Sequence, residues 1–147
     1  MVDLEARFDI GLYNGSMTLT IIVNDEIVHD VRKFTETQHQ FRTQIDLPAK
    51  IKFIVGNKNM NADTLVDNQG QVLKDKFVKL SRLWLGRVEV QPFMLKKHVF
   101  FNNNGVIEQE LYWGRPGHAE INFDNSSVVE WHLLNNFEPD NTFVNPY

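Results

Sequence analysis

The sequence predicts an all-β domain, a two-sheet antiparallel β-sandwich of jelly-roll-like kind. Apolar residues recur with the two-residue period of a strand almost everywhere, as in Leu4, Ala6, Phe8 and Ile10. Turn-forming residues divide the chain into about ten or eleven short strands spaced near a dozen residues apart, with one candidate helix at most, over 32–39. A chain of 147 residues without cysteine has room for one domain with a real core and needs no disulfide or thiolate metal staple. The expected domain covers 1–136, with 137–147 as an extended C-terminal arm. An irregular barrel is the alternative, and no fixed-period repeat argues for a solenoid or propeller.

The elements follow in order. Phe41, Thr43, Ile45 and Leu47 continue the alternation begun at Leu4. Residues 17–23 and 27–31 form a compact pair around Asn24-Asp25-Glu26, whose short polar side chains suit a tight connection. Pro48 lacks an amide donor and precedes 50–55, where Ile51, Phe53 and Val55 share one face, so it marks a strand start. The run 76–90 is divided at Gly86-Arg87 into two strands. Asn102-Asn103-Asn104-Gly105 predicts a reversing turn between 99–101 and 106–113, because Asn-Gly accepts positive φ. Gly114-Arg115-Pro116-Gly117 breaks the chain, 118–123 alternates, and 128–134 reads as a returning strand.

Composition restricts function. Fifteen Lys plus Arg against 19 Asp plus Glu give a net charge of -4 without long runs, which offers a phosphate backbone no broad basic face, so nucleic acid is not an expected partner. No stretch of about 18 residues is free of charges and amides, and MVDLEARFDI has neither the basic segment nor the apolar core of a secretory leader. Membrane insertion is not expected.

Chemistry concentrates in the polar connection 57–70 and the nearby Asp75. Ca²⁺ takes roughly six to eight oxygens, and Asp63, Asp67 and Asp75 with amide and backbone carbonyls are candidate ligands; the order is not that of an EF-hand. The same residues also have an ordinary reading. Asp67-Asn68-Gln69-Gly70 suits a hairpin turn with Asp67 accepting local amides and Gly70 left-handed, and Asp63 can cap backbone amides or pair with Lys58 or Lys74.

Flat aromatic faces with nearby amides bind sugar rings, which makes Tyr112, Trp113, Asn57, Asn61 and Asp63 the candidate ligand-binding residues. Trp84 and Trp131 sit among apolar strand residues and are read as core. Tyr112-Trp113 adjoins the Gly114 break, where at least one ring should face outward. His29, His39, His98, His118 and His132 lack metal-ligand spacing, and His132 is expected to alternate outward. No Gly-x-Ser-x-Gly context or glycine-rich loop is present. Glu108 and Glu110 share a strand face, which a solvated surface explains more simply than a glycosidase pair. No catalytic residue is expected.

The segment 57–90, NKNMNADTLVDNQGQVLKDKFVKLSRLWLGRVEV, resembles the small Ca²⁺-dependent xylan-binding type of carbohydrate-binding domain, with variants in tailed-phage proteins. The likeness lies in the Asn/Asp loop with Asp63-Thr64, the Asp67–Gly70 turn, and the following strand carrying Gly86. It implies a jelly-roll sandwich, no enzymatic activity, and a sugar hydroxyl pair meeting a loop-bound Ca²⁺. No second ligand-bearing loop is recognisable near the C-terminus. The resemblance also makes a virion the expected location, with the cytoplasm as alternative. A glycan, other virion subunits and copies of the same chain are then the expected partners, the last reached through the aromatics of the arm.

Overall fold

Strand alternation sets the architecture of the computed structural model, which describes residues 1–137. The chain runs β1 (Val2–Leu12), β2 (Thr18–Val23), β3 (Glu26–Val31), β4 (Gln38–Ile45), β5 (Ala49–Gly56), β6 (Thr64–Val66), β7 (Val72–Leu85), β8 (Val88–Glu89), α1 (Pro92–His98), β9 (Phe100–Asn103), β10 (Val106–Gln109), β11 (Tyr112–Trp113), β12 (Gly117–Phe123) and α2 (Val128–Asn135). One six-stranded sheet has the order β11-β7-β1-β4, with β6 and β8 also on β7; the other has the order β10-β9-β12-β5-β2-β3. Every pairing is antiparallel, and the two inner faces enclose the core. The expected two-sheet sandwich is the fold.

Three hairpins close through two residues of positive φ, as primed turns demand: Asn24-Asp25, Gly86-Arg87 and Asn104-Gly105. A side chain is excluded at Gly86, where a Cβ would lie 2.6 Å from Val128 Cγ1. The core is tied across the sheets by aromatics. Phe8 of β1 meets Phe53 of β5 edge-on at 5.8 Å, and Trp113 lies 5.4 Å from Phe53 and 6.2 Å from Phe101 of β9.

Several elements differ from the sequence reading. Residues 32–37 are not helical, and the following residues enter β4. The stretch 128–134 is not a strand; it lies in α2, where Ser127 Oγ accepts from Glu130 N at 3.3 Å and caps the helix. His132 does not face outward. It is buried, donates from Nε2 to Leu85 O at 2.8 Å and accepts at Nδ1 from Asn136 Nδ2, which docks α2 on the end of β7. Residues 92–98 form the helix α1, whose Pro92 sits in the first turn. The strand expected over 106–113 breaks after Gln109, and β11 crosses to the other sheet. The arm expected over 137–147 lies outside the described residues apart from Phe137, which is exposed.

At the open side of the sandwich the edge strands β3 and β4 belong to different sheets and meet through one polar contact. His29 and His39 face each other with Nε2 atoms 2.8 Å apart, their rings stacked at 5.1 Å. One ring must donate and the other accept, so the contact requires at least one neutral imidazole. Burial lowers both pKa values below the ordinary 6.5; in His39 the charge of His29 adds to this, and Asp30 and Glu36 act weakly the other way. The unfolded chain therefore binds protons that the folded chain resists, and stability falls as pH drops below 6.5. The thermal midpoint should decline between about pH 7 and pH 5, and a His29→Gln, His39→Gln chain should show a flatter profile in the same scan.

Candidate functional site

The polar connection 57–63 is built around Asp63. Its Oδ2 accepts from Asn59 N at 2.7 Å and pairs with Lys76 Nζ at 3.1 Å, while Oδ1 accepts from Asn14 Nδ2 at 2.8 Å. Lys76 is buried because it shares the inward face of β7 with Val78 and Leu80. The Asn59 amide and the other donors hold the Asp63 carboxyl below the usual carboxylate range against its desolvation. Asn57, at φ 63°, donates from Nδ2 to Ser16 O at 3.0 Å, and its carbonyl accepts from Lys76 Nζ at 3.4 Å. Asn61 N donates to Asn59 Oδ1 at 3.0 Å, and the Asn61 side chain is exposed.

Asp75, one residue earlier on β7, faces the opposite way. Its Oδ1 pairs with Lys58 Nζ at 2.5 Å and accepts from Thr64 Oγ1 at 2.6 Å, and Oδ2 accepts from the Tyr112 hydroxyl. Burial pushes the Asp75 carboxyl upward, but hydrogen bonds from Lys58, Thr64 and Tyr112 outweigh it and leave the pKa lowered. Burial and the adjacent carboxylate raise the Tyr112 phenol, which stays the protonated donor. The Tyr112 ring packs on Phe77 at 4.5 Å and keeps 38% of its surface exposed. Lys58, Thr64, Asp75 and Tyr112 wall a cleft of about 290 Å³ whose other lining residues include Glu108, Glu110 and Arg115. Gly114 closes the wall; a Cβ there would lie 3.2 Å from Asp75 Oδ2. Glu110 Oε1 accepts from the amides of Leu111 and Tyr112, and Glu108 pairs with Arg115 at 3.7 Å.

The structure thus brings Tyr112 and Asp75 together but separates the other expected residues. Trp113 is not a binding surface. It is fully buried, because β11 pairs Trp113 with inward Val78 and Tyr112 with outward Lys79. Asp67 serves the turn instead, where its Oδ1 accepts from Gln69 N at 2.9 Å and Gln71 N at 2.8 Å and Gly70 takes φ 81°. Asp63, Asp67 and Asp75 form no ligand set, and among the described residues no three acidic or histidine side chains converge as a metal site. Each of the two more buried carboxylates is already matched by a lysine, so the donors present do not fit a calcium ion. Lys76 was absent from the expected site, and the pairing differs from the expected one: Asp63 pairs with Lys76, not with Lys58 or Lys74, and Lys58 pairs with Asp75. Alternation back from Leu80 and Val78 marks Lys76 as inward, whereas the pairing of Lys58 with Asp75 has no local signal.

Trp84 is also not core. A register shift at Arg7/Phe8 leaves Ser81 without a β1 partner, so the inward set passes from Val78 and Leu80 to Leu83 and Leu85. Trp84 then emerges on the outer face, with the Arg7 guanidinium 4.8 Å and that of Arg82 4.5 Å from its ring centroid. The adjoining groove of about 340 Å³ is lined by Asp3, Glu5, Arg42, Trp84 and Arg87. Guanidinium groups already occupy the neighbourhood of this ring, so the Tyr112 cleft is the stronger candidate.

Two solved structures share this fold. The selenomethionine form of vCBM60, from work on circular permutation between two families of calcium-dependent carbohydrate binding modules, has a TM-score of 0.56 at 11% identity, covering 87% of this chain and 97% of that one. vCBM60 in complex with galactobiose has a TM-score of 0.50 at 12% identity, covering 82% and 97%. No protein-family model and no curated protein matches the sequence. At these identities the likeness is one of fold.

Removing Lys58 leaves Asp75, whose side chain is 10% exposed, charged and without its counterion. Lys58→Met should lower unfolding stability by about 3–5 kcal/mol in a urea titration, the range for breaking one side of a buried pair. The stability that the lowered Asp75 pKa contributes is fully present above the ordinary 3.8 and is lost as pH falls through the folded value, so the variant should also lose part of the wild-type response below about pH 4.

Proposed function

We propose that the chain is a non-catalytic carbohydrate-binding module whose ligand lies in the Tyr112 cleft. The observation that carries this reading is a half-exposed aromatic ring fixed between Phe77 and the Asp75 carboxylate, beside Glu108 and Arg115, on a sandwich shared with carbohydrate binding modules. A sugar ring offers an apolar face to an aromatic and hydroxyls to charged groups at its rim. Glu108 and Arg115 have half-exposed side chains and supply acceptor and donor. Because vCBM60 was solved with galactobiose, galactose-containing oligosaccharides are the first ligands to test.

The sequence resemblance to modules of tailed-phage proteins extends this proposal to a virion, where many copies of a weak site add avidity. A glycan array run on the purified chain, with and without calcium, tests the binding reading, and no sugar response in either condition rejects it. Tyr112→Ala should weaken the best ligand about tenfold or more by calorimetry, the effect of losing one aromatic contact.

A separate observation favours a second reading, a virion structural or decoration subunit acting through protein–protein assembly. α2 leaves Val129, Leu133 and Leu134 exposed, each at 66–67%, with Phe137 exposed just beyond. Apolar side chains grouped on a short surface helix fit a subunit contact. Under this reading the wild type sediments as an oligomer, Leu133→Glu with Leu134→Glu dissociates it, and truncation after Asn136 weakens it. A monomeric wild type at high concentration rejects it.

A further inference from the structure

We propose that the ammonium groups of Lys58 and Lys76 are resident cations of this module, doing the work of a loop-bound divalent ion, so that the loop is ordered without calcium. The calcium part of this inference stands on its own, and only its glycan part rests on the proposed function.

The two ion pairs are buried to an unusual degree. The Lys58 and Asp75 side chains are 1% and 10% exposed, and those of Lys76 and Asp63 are both 6% exposed. Lysine is almost never fully buried unless paired, and here both lysines are paired, Lys58 at the cleft wall and Lys76 on the inward face of β7. A calcium ion joining two carboxylates would contribute two positive charges; the two ammonium groups contribute the same number, one to each.

The remaining acceptors are engaged too. Asp63 takes the Asn59 amide and the Asn14 side-chain amide, and Asp75 takes the Thr64 and Tyr112 hydroxyls. Calcium also draws on backbone carbonyls, and that of Asn57 already accepts from Lys76. A divalent ion entering here would have to displace an ammonium group from its carboxylate, and would be repelled by the other lysine. The lysines cross-link what a metal would cross-link. Lys76 ties the 57–63 connection to β7, and Lys58 ties that connection to the same strand through Asp75.

The test uses the full chain, stripped with EDTA and melted with or without about 10 mM CaCl₂, roughly tenfold above the dissociation constants of the weakest calcium modules. The midpoints should agree within about 1 °C, where an occupied site would raise the midpoint by several degrees. Terbium titrated into the stripped chain should give no saturable sensitised emission. A calcium-dependent rise in the midpoint, or saturable terbium emission that calcium competes away, overturns the proposal. Lys76→Met should melt several degrees below wild type; a variant as stable as wild type also overturns it.

The glycan array separates the two readings. Sugar bound equally in EDTA and in calcium supports both. No sugar in either condition, from a chain whose melting ignores calcium, removes the glycan reading and leaves the resident-cation reading standing. Sugar bound only in calcium leaves the glycan reading and overturns this one.

Discussion

Strand alternation forces a lysine into the end of the sandwich, and much of the surrounding structure compensates for it. Lys76 cannot leave the inward face of β7 without moving Val78 and Leu80, which are fully buried. A buried ammonium group needs a carboxylate and further acceptors, and Asp63 and the Asn57 carbonyl supply them. Asp63 in turn needs donors, and finds them in Asn59 N and Asn14 Nδ2. The order of the 57–63 connection and its contact with the loop after β1 thus follow from one strand's register.

The adjacent residue carries the consequence to the surface. Asp75 stands on the outer side of the same strand, so the residue pair Asp75-Lys76 presents a carboxylate to the cleft and an ammonium group to the core. Lys58 reaches Asp75 from the connection that Asp63 fixes, Thr64 from β6, and Tyr112 from β11. The cleft wall is therefore assembled from β6, β7, β11 and the 57–63 connection, each fixed by backbone pairing or by a buried charge. Such a wall is ordered before a ligand arrives, which removes a part of the entropy cost of binding.

The fold was largely legible because it rests on local signals. Period-two alternation and the turns at Asn24-Asp25, Gly86-Arg87 and Asn104-Gly105 are visible residue by residue. The failures have a different character. The run 128–134 holds enough Val and Leu to read as a strand, and only Ser127 as an N-cap and the docking of His132 on β7 and Asn136 on β8 make it helical. The sequence places at least one of Tyr112 and Trp113 outward without saying which, because alternation gives two faces and does not say which is inner. Pairing with Val78, thirty-five residues away, decides it. The site was legible as a neighbourhood, since Asp63, Asp75, Tyr112 and Lys58 stood out, while the pairing of its charges was not, because an ion pair between distant residues has no spacing to detect.

The bulge at Ser81 explains why one strand carries two unlike surfaces. Before it, Lys76, Val78 and Leu80 point inward and Asp75, Phe77 and Lys79 outward; after it, Leu83 and Leu85 point inward and Trp84 outward. Without the extra residue Trp84 would continue the inward set of Val78 and Leu80, where the sequence reading placed it, and Leu83 and Leu85 would face solvent. The core of the sheet's far end is therefore filled by leucines, and the large indole is left to the arginines. The indole is flanked by guanidinium groups, whereas the Tyr112 ring rests on Phe77 beside a carboxylate and keeps 38% of its surface exposed. The outer face of β7 thus carries an indole flanked by arginines at one end and Phe77 under the Tyr112 ring at the other, and its register irregularity, more than the identity of its aromatics, determines this arrangement.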